Sequence, residues 1–304
     1  MSALGEVGVI GLGQMGRRIA RTLMKAGWHV VAWDLAAAAK NELADEGGII
    51  ASDPRDVAAQ APVVITSLPG GDAVRAVALG ENGLASRGGH TRLLIDMSTT
   101  TPAAARTLAN ELATHGIAFL DAPVSGGVSA AEAGTLTVMV GGKAADLERA
   151  RPILNSLSRV VVHCGPAGAG QVAKACNQLI VMATLGAVAE ALVMAKMAGL
   201  DPARVREALL GGYAASPILD IQGGRMLRRD FAPGGRAVYN LKDISTIREM
   251  ASSAALDLPV FEAAAEQMLR LINEGGSDLD NSALITVVER TTRALDAGRE
   301  GAAQ

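Results

Sequence analysis

The sequence predicts an α/β fold. A Rossmann-type, doubly wound sheet fills the N-terminal half, and an all-α C-terminal domain follows, beginning with a long interdomain helix. Three observations carry that prediction. A glycine fingerprint, Gly11-Leu12-Gly13-Gln14-Met15-Gly16, stands between an apolar run and an amphipathic segment. Short apolar runs recur through the first half with amphipathic stretches between several of them. Past Gly170 the runs stop and helical periodicity takes over.

The elements follow in order. Residues 7–10, Val-Gly-Val-Ile, form a strand that ends at Gly11. Over 17–26 the spacing puts Ile19, Ala20, Leu23 and Met24 on one helical face, and Gly27 stops the helix. Residues 29–33 are a second strand with Asp34 at its end, which completes a strand–turn–helix–strand unit. The apolar runs 63–66, 93–96, 118–121, 136–140 and 160–163 suit buried parallel strands. The domain boundary falls in the glycine-rich stretch 165–170, giving domains 1–167 and 168–304. Residues 171–198 read as one buried helix, far more apolar than a surface helix. Asp201-Pro202 is an N-cap with proline at the first helical position. Helices are expected over 243–254, 259–273 and 283–294, with disorder confined to the tail 298–304.

Composition narrows the function classes. The 304 residues are 49% hydrophobic and 19% charged, with a net charge of −3 and no lysine or arginine block. Nucleic acid is therefore an unexpected partner, because phosphate binding needs a clustered positive field. Glu190 and Lys196 interrupt the most apolar stretch, so a membrane span is not expected either. Cys164 and Cys176 make neither a disulfide framework nor a metal set, and read as buried thiols of a cytoplasmic protein. His29, His90, His115 and His163 form no spaced pair and read as structural or exposed. No metal is expected.

The fingerprint sits where a dinucleotide site requires it, after a strand and opening a helix. Gly11 permits the tight turn, Gly13 lets the backbone approach a pyrophosphate, and Gly16 lets helix and strand pack closely. The helix N-terminus offers free N–H groups to the phosphates. Asp34 can accept both hydroxyls of the adenosine ribose; the alternative for Asp34 taken alone is a solvated turn residue at the end of a strand. A 2′-phosphate would face its charge, and Leu35 offers no guanidinium, so NAD is favoured over NADP.

Three further motifs stand in order along the chain. They are Asp121-Ala-Pro-Val-Ser125-Gly126-Gly127 (continued by Ala133-Gly-Thr-Leu), Gly168-Ala-Gly170-Gln-Val-Ala-Lys174-Ala-Cys-Asn177, and Asn240-Leu-Lys242-Asp243. Ser125-Gly126-Gly127 offers consecutive backbone N–H groups and a hydroxyl to a carboxylate, or is a plain tight turn. Lys174 and Asn177 share one helical face, and a lysine there is costly unless solvated, paired or used. Lys242-Asp243 taken alone is a surface pair starting a helix. Together with the fingerprint, the motifs span nearly the whole chain and resemble those of the β-hydroxyacid dehydrogenase (3-hydroxyisobutyrate dehydrogenase-like) family.

The resemblance implies an NAD(P)-dependent oxidoreductase that interconverts a small 3-hydroxy acid and its semialdehyde. It implies that Lys174 is the general acid/base, Asn177 orients the substrate, and Ser125, Gly126 and Gly127 hold its carboxylate. Burial beside a positive nicotinamide should lower the pKa of Lys174 toward neutrality. Gly11 to Gly16, Asp34, Leu68, Pro69, Ser98, Thr99 and Lys242 are the implied cofactor contacts. An imine reductase on the same scaffold is one alternative, against which Lys174 counts. A non-catalytic dinucleotide-binding protein is another. The long apolar helix exceeds what a domain of this size buries, so a homodimer or homotetramer is expected.

Overall fold

Strand β1 (Glu6–Ile10) opens the sheet and leads into α1 (Gln14–Lys25), β2 (His29–Trp33), α2 (Ala37–Asp45) and β3 (Ile49–Ile50). Then come α3 (Pro54–Gln60), β4 (Val63–Thr66), α4 (Gly71–Leu79), β5 (Leu93–Asp96), α5 (Pro102–Thr114) and β6 (Ala118–Asp121). These six strands are parallel in the order β3-β2-β1-β4-β5-β6. Their topology reverses between β1 and β4, which in such sheets opens a crevice at the carboxyl ends of the strands. Alternate side chains enter the two cores on either face of the sheet: Val7, Val9, Leu93 and Ile95 on one, Ile10, Val31, Val64 and Leu94 on the other. The computed structural model describes residues 4–86 and 88–292.

Past β6 the chain turns back. β7 (Val124–Ser125), α6 (Gly127–Ala133), β8 (Leu136–Gly141), α7 (Ala144–Leu157) and β9 (Ser158–Gly165) complete the first of two compact units, which extends to Lys174. β8 runs antiparallel to β6 and β7, and β9 is parallel to β8. This corrects the expectation of buried parallel strands over 136–140 and 160–163. Apolar runs report burial, not direction. β9 is also largely exposed, with Val160 and Val162 38% and 46% accessible, because it lies at the end of the sheet. The cysteines likewise depart from expectation: Cys164, on β9, and Cys176 are both exposed.

Three helices start on one device. Asp53, Thr101 and Asp201 each accept a backbone N–H of the first turn, from Asp56, Ala104 and Ala203, and proline follows each. The proline supplies helical φ at a position whose missing N–H has no intrahelical partner anyway.

Helix α8 (Ala169–Met197) begins in the first unit and continues into the second, which starts at Ala175. The second unit adds α9 (Pro202–Leu210), α10 (Gly223–Arg228), α11 (Asn240–Ser253) and α12 (Pro259–Leu271). A further helical stretch runs over 285–292, where the described residues end. The end of the expected 283–294 helix and the whole tail 298–304 lie outside them. Leu185, Ala189 and Leu192 of α8 pack with Met226, Ile247, Phe261 and Met268 in this unit's core. Asp280, fully buried, accepts N–H groups from Gly234, Gly235 and Ser282 and staples the segments on either side of α11 and α12.

The reading of α8 as a buried helix holds for one face only. Less than half of its most apolar window is buried, although it is long and apolar enough to cross a membrane. Ile180 and Met194 are exposed on its outer side.

Candidate active site

The glycine turn is built by contacts the chain makes with itself. Gly11 has φ of +93°, donates its N–H to the Trp33 carbonyl, and has no room for a Cβ, which would lie 2.3 Å from the Ser67 oxygen. A Cβ on Gly16 would stand 1.8 Å from the Gly11 oxygen. Gly13 differs: it caps α1, and a Cβ there would meet nothing within 4 Å. The fold itself thus does not require glycine at that position. The open side is where a pyrophosphate would come against the backbone, and α1 carries no acid in its first turn to oppose one. The chain therefore fits a dinucleotide at this turn.

The neighbouring side chains are ordered around it. Leu12 is buried, Met15 packs on the sheet's core, and Gln14 lies exposed with its oxygens accepting from Arg18. Asp34 closes β2 and accepts the Leu12 N–H at 2.6 Å on Oδ2 and the Ala36 N–H at 2.7 Å on Oδ1. Each oxygen keeps a second lone pair for a ribose hydroxyl. Leu35 is 86% exposed and brings no positive charge.

The ends of β4, β5 and β6 are joined by polar groups, of which the sequence reading assigned a role to Ser98 alone and carried Asp121 and Gln171 only as members of motifs. Asp96 and Asp121 end adjacent strands in register and are both buried. Asp96 Oδ1 accepts the Thr66 hydroxyl at 2.8 Å and the Ser98 N–H at 3.0 Å, and burial pushes its pKa up to about 6. Burial also raises Asp121, against the pull of the Gly168 and Gln171 N–H groups, which donate to it at 2.7 and 3.0 Å. Ser98 Oγ accepts the Leu68 N–H at 2.9 Å. Gln171, at the start of α8, reaches across to accept the Thr100 N–H and donate to the Ser98 carbonyl. Ser98 is buried, Leu68 and Thr99 are half-buried, and Pro69 is exposed.

The Asp121–Gly127 motif, and the Gly168–Asn177 motif as far as Lys174, occupy this same unit. Gly126 has φ of +123° and Gly127 begins α6, so the Ser125-Gly126-Gly127 turn is half-exposed backbone. Gly170 packs so tightly that a Cβ would lie 2.5 Å from the Met139 oxygen and 2.6 Å from that of Asp121. That close approach draws the first turn of α8 onto β6 and β8. Lys174, one turn further on, donates from Nζ to the Val124 carbonyl at 3.0 Å, directly before Ser125.

Asn177 and Lys242 belong to the second unit. Asn177 Nδ2 donates to Gln178 Oε1 at 2.9 Å, and Gln178 Nε2 donates to Asp243 Oδ2 at 2.5 Å. The Asn-Leu-Lys-Asp motif is thereby tied to α8 within that unit. Its first residue, Asn240, is buried and bonds Ala237 and Asn281. Lys242 is half-buried.

Of these groups, Asp96 and Asp121 had a readable signal, an acid closing an otherwise apolar strand. Gln171 and Gln178 had none. The four histidines are exposed, and His163 bonds the Gly142 carbonyl.

Residues 6–165 match the NAD binding domain of 6-phosphogluconate dehydrogenase, and residues 168–288 match the NAD-binding domain described for NADP-dependent 3-hydroxyisobutyrate dehydrogenase. The chain is 37% identical over 284 residues to 2-hydroxy-3-oxopropionate reductase of Escherichia coli, covering 93% of this chain and 97% of the relative. A solved 3-hydroxyisobutyrate dehydrogenase of Mycobacterium tuberculosis with L-serine superposes with a TM-score of 0.84 at 32% identity, covering 93% of this chain and 99% of that one. An imine reductase from Pseudomonas sp. covers as much at 17% identity and a TM-score of 0.61, a likeness of fold alone. With both halves matched and relatives of this identity along nearly the full length, the chain belongs to the β-hydroxyacid dehydrogenase family of NAD(P)-dependent oxidoreductases acting on CH–OH groups.

Proposed function

We propose that this enzyme interconverts a small 3-hydroxy acid and its semialdehyde with NAD, with tartronate semialdehyde (2-hydroxy-3-oxopropionate) as the first substrate to test and methylmalonate semialdehyde, which pairs with 3-hydroxyisobutyrate, as the second. One observation carries the reading: the Lys174 ammonium bonds the Val124 carbonyl at 3.0 Å, directly beside Ser125-Gly126-Gly127. A proton donor and a carboxylate-sized turn of backbone N–H groups therefore stand next to each other, as an acid with a reacting carbon two bonds away requires.

The bound nicotinamide supplies or accepts the hydride. The chain's own groups do the rest. Ser125, Gly126 and Gly127 hold the substrate carboxylate and set its distance from the reacting carbon. Lys174 gives a proton to the carbonyl oxygen during reduction and takes it from the hydroxyl during oxidation. Asn177, its amide nitrogen engaged by Gln178, keeps its oxygen available to orient the substrate. Gly11 to Gly16 cradle the pyrophosphate, and Leu68, Pro69, Ser98, Thr99 and Lys242 contact the rest of the cofactor. Asp34, with no cation at Leu35, accepts the ribose hydroxyls and disfavours a 2′-phosphate. The exposed apolar side of α8 is a subunit contact in a cytoplasmic homodimer or homotetramer.

The test follows nicotinamide absorbance with NADH and NADPH against tartronate, methylmalonate and succinate semialdehydes and the matching hydroxy acids, for wild type and Lys174→Ala. Turnover on one pair, reduced at least about a hundredfold in the variant, is the expected result. A panel without turnover while NADH still binds would remove the hydroxy-acid reading.

A further inference from the structure

We propose that Gln171 is a positioning residue for Lys174: its side-chain amide locks the first turn of α8 to the loop after β5 and so fixes where the lysine ammonium stands. The proposal rests on the assignment of Lys174 as proton donor.

The geometry is that of a buried clamp. Gln171 is 1% exposed. Its Oε1 accepts the Thr100 N–H at 3.0 Å, its Nε2 donates to the Ser98 carbonyl at 2.9 Å, and its own N–H donates to Asp121 at 3.0 Å. Ser98 in turn holds Leu68 through its hydroxyl. One residue of α8 therefore joins segments at the carboxyl ends of β4, β5 and β6. The Thr100 N–H and the Ser98 carbonyl both point at it, so the position demands a donor and an acceptor at once. An aliphatic side chain of equal length satisfies neither, and an ionised carboxylate only one.

Lys174 lies three residues on, on the same side of the helix. An α-helix is stiff over one turn, so a displacement of the Gln171 turn carries Nζ with it, away from the Val124 oxygen. A misplacement of about 1 Å at a reacting group costs on the order of a hundredfold in rate. A purely structural clamp would lower stability and leave kcat alone.

Two variants separate these roles. In Gln171→Glu the introduced carboxyl, while protonated, copies the amide: it accepts from Thr100 and donates to Ser98. Once ionised it can only accept, and it confronts the Ser98 carbonyl. The charged groups around it are Asp96 from β5, Asp121 from β6, Arg106 of α5 beside Gly168, and Lys174 on its own helix. The two acids hold it protonated to higher pH than an exposed carboxyl, and the two cations oppose them.

The experiment measures kcat for Gln171→Glu relative to wild type from pH 5.5 to 8.5, using NADH and the panel semialdehyde with the highest turnover. Tryptophan fluorescence at each pH tracks the folded fraction. The expected ratio is within about threefold of unity at the acid end and at least about tenfold lower at the alkaline end, with the protein folded throughout. Gln171→Met is expected to lose at least about tenfold in kcat at every pH. A ratio independent of pH, a fall in kcat that only follows unfolding, or a Gln171→Met variant with wild-type kcat overturns the proposal. Lys174→Ala in the same assay keeps the two claims apart. If it is inactive while Gln171→Met is normal, only the positioning role fails, whereas an active Lys174→Ala removes the proton-donor assignment and this role with it.

Discussion

Replacing Asp96 by Asn removes a charge from a dry part of the sheet, and its effect on stability has a definite sign. Asp96 is 1% exposed and lies in register with the Asp121 carboxyl on the neighbouring strand. Burial, reinforced by that neighbour, pushes its pKa up to about 6, against the Thr66 and Ser98 hydrogen bonds. In an unfolded chain the same group titrates near roughly 3.9. Between those values the folded state holds more protons than the unfolded one, so stability falls as pH rises through the window and stays lower above it. A gap of about two units corresponds to about 3 kcal/mol.

Asp96→Asn lacks this dependence. Its stability relative to wild type should rise by about 2 kcal/mol from pH 4 to pH 7, the rest of the span lying below pH 4, on top of any pH-independent offset from the new amide donor. Urea unfolding followed by tryptophan fluorescence reads the right unit, since Trp28 and Trp33 both lie in the first one. Stability curves for the two proteins that run parallel from pH 4 to 8 would refute the reasoning.

Four other outcomes follow from the geometry. Gly13→Ala should keep the wild-type melting temperature, because its Cβ meets no atom of the chain, yet weaken NADH binding by about tenfold or more in a fluorescence titration. Gly16→Ala, with its Cβ against the Gly11 oxygen, should lose both, and equal NADH affinity in all three proteins would deny the turn its role. Asp34→Ser should move the ratio of kcat/KM for NADPH over NADH upward by about tenfold, and an unchanged ratio would free Asp34 from the ribose. Ile180→Glu combined with Met194→Glu should shift the protein toward monomer in light scattering, because both side chains stand exposed on α8. An unchanged mass would remove this face of α8 as a subunit contact.

The parts of the fold and site that could be read from sequence are those governed by local chemistry. The β1–α1–β2 unit follows from three glycines and an acid whose spacing has a steric meaning. The cap at Asp201 follows from a residue pair whose geometry is fixed. The direction of β8 could not be read, because a two-residue alternation encodes which faces are buried and says nothing about which way the strand runs. The exposure of Val160, Val162 and Cys164 was hidden for a related reason: an apolar run looks the same at the edge of a sheet as at its centre. The Gln171 clamp was out of reach because its partners, Thr100 and Ser98, lie 71 and 73 residues away along the chain. Only the folded sheet brings them together.

The terminal position of β9 also bears on how the protein behaves at high concentration. Among the described residues β9 pairs only with β8, and it presents exposed Val160 and Val162 over eight residues. A long apolar strand at a sheet's end is a template for strand addition between molecules, and charges set along it are the usual guard. Arg159 and His163 are the titratable groups that β9 carries besides Cys164. Solubility during expression and storage therefore depends on keeping Arg159 in any engineered variant, because it is the residue of β9 that carries a fixed charge beside the exposed valines.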